Sequence, residues 1–170
     1  SLSLVLSLYF VVSAAEKAIT HSAEQSLRTA AFTVQKSVEE QIARAMADVR
    51  ITATMPALHD VLARIRLPKD DPELTAVVGK ANATLKSIAD IYGYYESYYM
   101  TDSKGLVATS FVPAIVNKLD ISNRPWFHTS MNGGGSVISE PFVSRLTGNV
   151  LIAVMTRVEE NGNYGGMVGA

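Results

Sequence analysis

An arginine and the only tryptophan of the chain stand two residues apart in Asp120-Ile121-Ser122-Asn123-Arg124-Pro125-Trp126-Phe127, with a proline between them that restrains the backbone. A guanidinium is always charged and presents a planar fork of donors that fits a carboxylate. A flat apolar indole beside it would read whatever the carboxylate carries, so the stretch suggests a small anion pocket. The packing alternative is that Arg124 caps or salt-bridges a nearby turn while Trp126 belongs to the core, where most tryptophans sit.

Little else is arranged for chemistry. His21, His59 and His128 lack metal-ligand spacing and read as surface or edge residues, so neither a metal nor a cofactor is expected. The adjacent acids Glu39-Glu40, Asp70-Asp71 and Glu159-Glu160 read as solvated faces, because neighbouring carboxylates rarely converge on one substrate. The Gly-x-Ser-x-Gly, HExxH and GxGxxG patterns are missing, and Gly133-Gly134-Gly135 is not followed by the Lys-Ser/Thr of a phosphate loop; no enzyme is expected. Fifteen Lys and Arg against sixteen Asp and Glu leave a net charge of −1 with no basic stripe, which argues against nucleic acid as a partner. The absence of cysteine removes disulfides, thiolate metal sites and Cys nucleophiles.

The 170 residues fit one domain, or one domain with a helical extension. The chain begins at Ser1 without Met and stops at Gly169-Ala170 inside an apolar run, and is expected to be a piece of a longer protein. Residues 1–15 are uncharged and rich in large apolar side chains, too few to cross about 30 Å of bilayer. They are expected to be the outer end of a transmembrane helix, with Tyr9 and Phe10 near the interface. A signal-peptide core cleaved near Ser13-Ala14-Ala15 and a buried soluble helix are the alternatives. Residues 16–55 form a long stalk helix, free of glycine, with one stripe at Leu27, Ala31, Val34, Val38, Ile42, Ala45, Val49 and Ala53. That stripe could lie on a sheet, on the same helix of a partner chain in a homodimer, or on both at different heights.

Residues 56–170 read as a separate module. Thr54-Met55-Pro56 breaks the helix, and Leu58, Val61, Leu62 and Ile65 face inward on a short one. Asp70 or Asp71 caps a third helix over roughly 73–91, with Leu74, Val77 or Val78, Ala81, Leu85, Ile88 and Ile91 at helical spacing. After Gly93 the chain turns β-prone: an aromatic strand over 94–101, a turn at Asp102-Ser103-Lys104-Gly105, and a second strand over 106–110. One or two of the Tyr hydroxyls, Tyr99 among them, are candidates to reach a pocket. Ser122 or Asn123 is the natural N-cap for a short helix over 126–131. Residues 136–139 and 141–144 form a β segment, 150–158 the best strand, and 164–169 the last. Helices first and antiparallel strands afterwards define an α+β fold.

The long helix, the Tyr-rich strand, the Asp102-Ser103-Lys104-Gly105 hairpin, Arg124-Pro125-Trp126-Phe127, Ser139-Glu140-Pro141-Phe142-Val143-Ser144, Thr147-Gly148 and Gly165-Gly166-Met167-Val168-Gly169 come in a telling order. Together they resemble the double-Cache extracellular sensor domains of bacterial chemoreceptors and sensor kinases. The resemblance implies a long N-terminal helix packed on a PAS-like antiparallel sheet, a membrane-distal Cache module truncated at its C-terminus. It also implies a ligand pocket under the loop that carries Arg124.

In amino-acid-binding members of that family the matching Arg and Trp hold the ligand carboxylate, and Phe127 matches the aromatic after the Trp. Leu119, Phe142 and Ser144 stand where those members carry Tyr, Tyr and Asp. The acidic residue that receives the amino group would follow the Gly-rich strand, past Ala170. Asp120 and Tyr99 complete the set expected at the pocket. Two phenols and one carboxylate are thus replaced, and an unpaired ammonium is costly in such a site, so an organic acid is expected ahead of an amino acid. The implied function is ligand sensing outside the cytoplasm, by a receptor anchored in the inner membrane through its N-terminal helix, with this segment in the periplasm or extracellular space. A methyl-accepting chemotaxis protein is expected first, with a histidine kinase or diguanylate cyclase as alternative outputs. A structural or protein-binding ectodomain without a ligand is the rival class, and a secreted enzyme the third.

Overall fold

The computed structural model describes residues 2–68, 70–133, 135–160 and 162–170, with side chains from residue 12 onward. The side chains of residues 1–11, on which the membrane reading of the N-terminus rests, lie outside the described residues. So do Lys69 in the loop before the third helix, Gly134 in the glycine run and Asn161 in the last turn. Among the described residues no helix is long and apolar enough to cross a membrane.

The chain divides into two units, Ser1–Ile42 and Ala43–Ala170. Helix α1 spans Leu2–Ala53 and meets neither glycine nor proline. Its stripe serves two ends: Ala45, Val49 and Ala53 are buried, whereas Leu27, Val34 and Val38 are 71%, 62% and 43% exposed. Helix α2 (Pro56–Arg64) starts on the proline, where the missing N–H is one the first turn does not need. Helix α3 (Pro72–Tyr92) is capped by Asp71, whose carboxylate accepts from Glu73 N at 2.8 Å and Leu74 N at 3.3 Å, and it ends on Gly93 at φ +68°. Its buried face is Ala81, Leu85 and Ala89; Ile91, expected inside, is exposed because the helix has turned past the core there.

Among the described residues the strands that follow are β1 (Tyr99–Asp102), β2 (Val107–Ser110), β3 (Val137–Ile138), β4 (Phe142–Val143), β5 (Val150–Leu151), β6 (Val154–Glu160) and β7 (Asn163–Gly169). Helix α4 (Pro125–Gly133) lies between β2 and β3 in sequence. The main sheet is antiparallel in the order β2-β1-β7-β6-β3, while β4 and β5 pair separately. The α+β architecture is as expected. Alternation along the strands sends Tyr98, Met100, Val154, Val158 and Val168 to a core with the end of α1, α2 and α3. Tyr99, Val107, Met155 and Met167 go to a second core with Ile115, Ile121 and Phe127.

Two strand boundaries differ from expectation. Residues 94–98 are not a strand: the Tyr95 and Tyr92 hydroxyls donate to Asp48 at 2.7 and 3.3 Å, and these polar handles fasten the segment to α1 instead. The run 150–158 is interrupted at Ile152-Ala153, where the chain changes partner from β4 to β3. Ser139 holds that junction, accepting from Ala153 N at its hydroxyl and donating its own N–H to Ala153 O, both at 2.8 Å.

Candidate functional site

The loop that carries Arg124 rests on the β1–β2 turn. Asp102 accepts from Lys104 N and Leu106 N at 2.9 Å, closing the turn, and Gly105 sits at φ +93°. Gly105 O then accepts from Ile121 N at 3.0 Å, and Leu106 bridges to Asp120. A Cβ at Gly105 would fall 2.9 Å from Ser122 N and 3.0 Å from the Phe127 ring. Gly105→Ala should therefore cost about 1–3 kcal/mol in urea denaturation, because backbone conformation and contact are both violated under the same loop.

Asp120 is exposed and accepts from Ser122 N at 2.8 Å; that bond, and the Ser122 hydroxyl, hold its carboxyl below the usual range. Its bond to Ser122 shapes the loop. Arg124 N bonds Ile121 O at 2.9 Å and Phe127 N bonds Arg124 O at 3.0 Å, so the chain enters α4 at Pro125. The residue flanking the helix is Arg124 itself, one or two positions later than the expected Ser122 or Asn123, because Pro125 takes the first helical position.

The half-buried Arg124 guanidinium lies 5.2 Å from the Trp126 ring centroid and 5.4 Å from that of Phe142, and the two rings are 4.9 Å apart at 32°. Among the described residues no carboxylate pairs with it and no hydrogen bond occupies it. A cation resting against two rings that also pack on each other, with its donors unclaimed, is suited to an anion. Tyr99 is buried close by: desolvation pushes its phenol up to about 12, and the Arg124 charge opposes that rise.

The predicted residues thus fall into groups. Arg124, Trp126 and Phe142 meet directly, with Tyr99 near them. Phe127 is buried and packs edge-on to His128 and Tyr164, and Leu119 packs against the same core. Ser144 is buried and gives its hydroxyl to Glu96, whose other oxygen accepts from Thr147 at 2.7 Å. Glu96 escaped the sequence reading, as did Thr101, Ser130, Arg157 and Tyr164, whose polar atoms are buried on the α4 side of the sheet. Only the strand register, which places Thr101 and Arg157 beside Met167, could have revealed them.

The sequence matches no protein-family model and no curated protein. Solved structures do share the fold. The sensor domain of the Vibrio cholerae histidine kinase DctB is 13% identical with a TM-score of 0.67, over 79% of this chain and 50% of that one. The ligand-binding domain of the Pseudomonas fluorescens chemoreceptor CtaA, in complex with L-serine, is 20% identical with a TM-score of 0.53, over 81% and 51%. That of the Pseudomonas aeruginosa amino acid chemoreceptor PctC, in complex with GABA, is 18% identical with a TM-score of 0.55, over 78% and 55%. The chain has the PAS-like Cache fold of these sensor domains, and it spans about half their length.

Proposed function

We propose that this chain is the membrane-distal sensing module of a bacterial transmembrane receptor, and that it binds a small carboxylate at Arg124 beside Trp126 and Phe142. The unclaimed guanidinium packed against two aromatic rings carries the reading. An organic acid remains ahead of an amino acid, since Leu119 and Phe142 offer no hydroxyl. The Glu96 carboxylate next to Ser144 is already engaged by two hydroxyls. The receptor sits in the inner membrane with this segment outside the cytoplasm, and a chemoreceptor is the output to test first. Non-catalytic binding is the role of the module.

Coupling has a physical route. Tyr99 faces the site while its neighbour Tyr98 faces the opposite core, where its hydroxyl meets Thr52 of α1 at 2.9 Å. A ligand that favours one placement of β1 would bias the end of α1, provided it binds the two arrangements with different affinity. The exposed Leu27, Val34 and Val38 then suit a homodimer through the stalk. Tyr98→Phe should leave the buried Thr52 hydroxyl unpaired and cost about 1–3 kcal/mol by urea denaturation, with ligand-induced stabilisation retained. A thermal-shift screen of small carboxylates tests the reading as a whole: binding acids should raise the Tm of the protein and leave Arg124→Ala unmoved.

A further inference from the structure

Among the described residues, the buried side-chain polar atoms without a hydrogen-bond partner are Thr101 Oγ1, Trp126 Nε1, Ser130 Oγ, Arg157 Nε and Tyr164 OH. Buried polar groups are normally satisfied, so several in one compartment require a cause. All of them belong to α4 or to the face of the sheet that α4 covers. Thr101 and Arg157 both pair in register with Met167, and Arg157 follows Met155 by two positions, so both lie on the face of the second core. Trp126 and Tyr164 pack against that core, and Ser130 follows Trp126 by one helical turn on the same side of α4. Thr101 and Ser130 are fully buried.

The neighbours of these atoms do not serve them. Arg157 has a charge partner in Glu159 at 3.2 Å and lies 5.9 Å from the Tyr164 ring centroid, but its Nε–H is not aligned for a hydrogen bond. The Thr101 hydroxyl and the Tyr164 phenol approach each other without reaching hydrogen-bond geometry. Trp126 joins this polar wall to the anion site, because its ring is the one beneath Arg124.

We infer that the ligand held at Arg124 is a small hydroxy acid, whose hydroxyl or carbonyl oxygens face Trp126 Nε1, Thr101 and Ser130. The inference rests on the carboxylate reading of Arg124 and narrows it. Indole and guanidinium N–H groups only donate, so the ligand must present acceptors to them; hydroxyls of Thr and Ser both donate and accept, which suits a ligand hydroxyl. An unsubstituted carboxylate held at Arg124 can accept from Trp126 Nε1 but brings no group to the Thr101 and Ser130 hydroxyls. An ammonium, which only donates, cannot serve Trp126 or Arg157.

Isothermal titration with propionate, lactate, alanine and glycerate separates the cases, since the first three differ only in what replaces one hydrogen at C2. Lactate or glycerate should bind the intact protein about tenfold or more tightly than propionate and alanine. Thr101→Val and Ser130→Ala, each made separately, should shrink that gap and leave propionate affinity unchanged; Thr101→Ser should keep the gap. Propionate or alanine binding as tightly as the hydroxy acids, in a manner that Arg124→Ala abolishes, overturns the inference and keeps the carboxylate site, with water then serving the polar wall. If none of the four acids binds, or Arg124→Ala leaves their binding intact, both fall.

Discussion

Replacing Arg124 with alanine should weaken binding of the cognate acid by about 10- to 100-fold, because a charge-assisted contact is worth roughly 1.5–3 kcal/mol. The fold should scarcely notice. Arg124 is half-buried and makes no ion pair among the described residues; its loss removes two ring contacts worth about 0.5–1 kcal/mol each. A large effect on affinity with a small one on stability is the signature of a binding residue. If Arg124 were the turn-capping residue of the packing alternative, the ratio would be reversed. Arg124→Lys should recover only part of the affinity, since an ammonium keeps the charge without the planar fork.

Gly166→Ala should have the largest effect on stability, about 3 kcal/mol or more in urea denaturation. Gly166 is buried in β7, between Asp102 of β1 and Val158 of β6, and a Cβ there would stand 2.1 Å from the Thr101 carbonyl oxygen. That neighbour is backbone, so relief requires β1 and β7 to separate. Neighbouring glycines provide the scale. At Gly165 the nearest atom is the end of the Leu62 side chain at 3.1 Å, so alanine should cost about 1 kcal/mol. Gly79 lies inside α3 with open space around it, and alanine there should stabilise by up to about 1 kcal/mol. The middle of β7 also separates Met167 in the core that contains Phe127 from Val168 in the core that contains the end of α1, so its geometry bears on both.

The parts of this fold that the sequence discloses are those encoded locally. The cap at Asp71, the prolines that open α2, α3 and α4, and the left-handed stop at Gly93 all follow from side chains acting within a turn of the chain. The meeting of Arg124 with Trp126 is equally local, being a matter of two residues at a helix start. What escapes is set by partners distant in sequence. Nothing between Val150 and Val158 announces that the strand changes partner at Ala153, because the cause is Ser139. Tyr95 resembles a strand residue until Asp48, on α1, claims its hydroxyl. Thr101 and Arg157 have the polar character of solvent-facing strand positions, and only the register with Met167 places them on the covered face. Ser144 follows the same pattern: a missing carboxylate by local reading, it has one supplied by Glu96 from the segment before β1.

Trp126 is the only tryptophan of the chain, and its ring lies directly beneath Arg124, so the site contains its own reporter. Titrating the protein with lactate while following indole emission reads binding at Arg124 directly. A saturable change in emission should appear and should vanish in Arg124→Ala, the unliganded variant being less stable by no more than about 1–2 kcal/mol, the worth of its two ring contacts. Lactate that binds both proteins with the same affinity, or binds without altering the emission of Trp126, would contradict binding at Arg124.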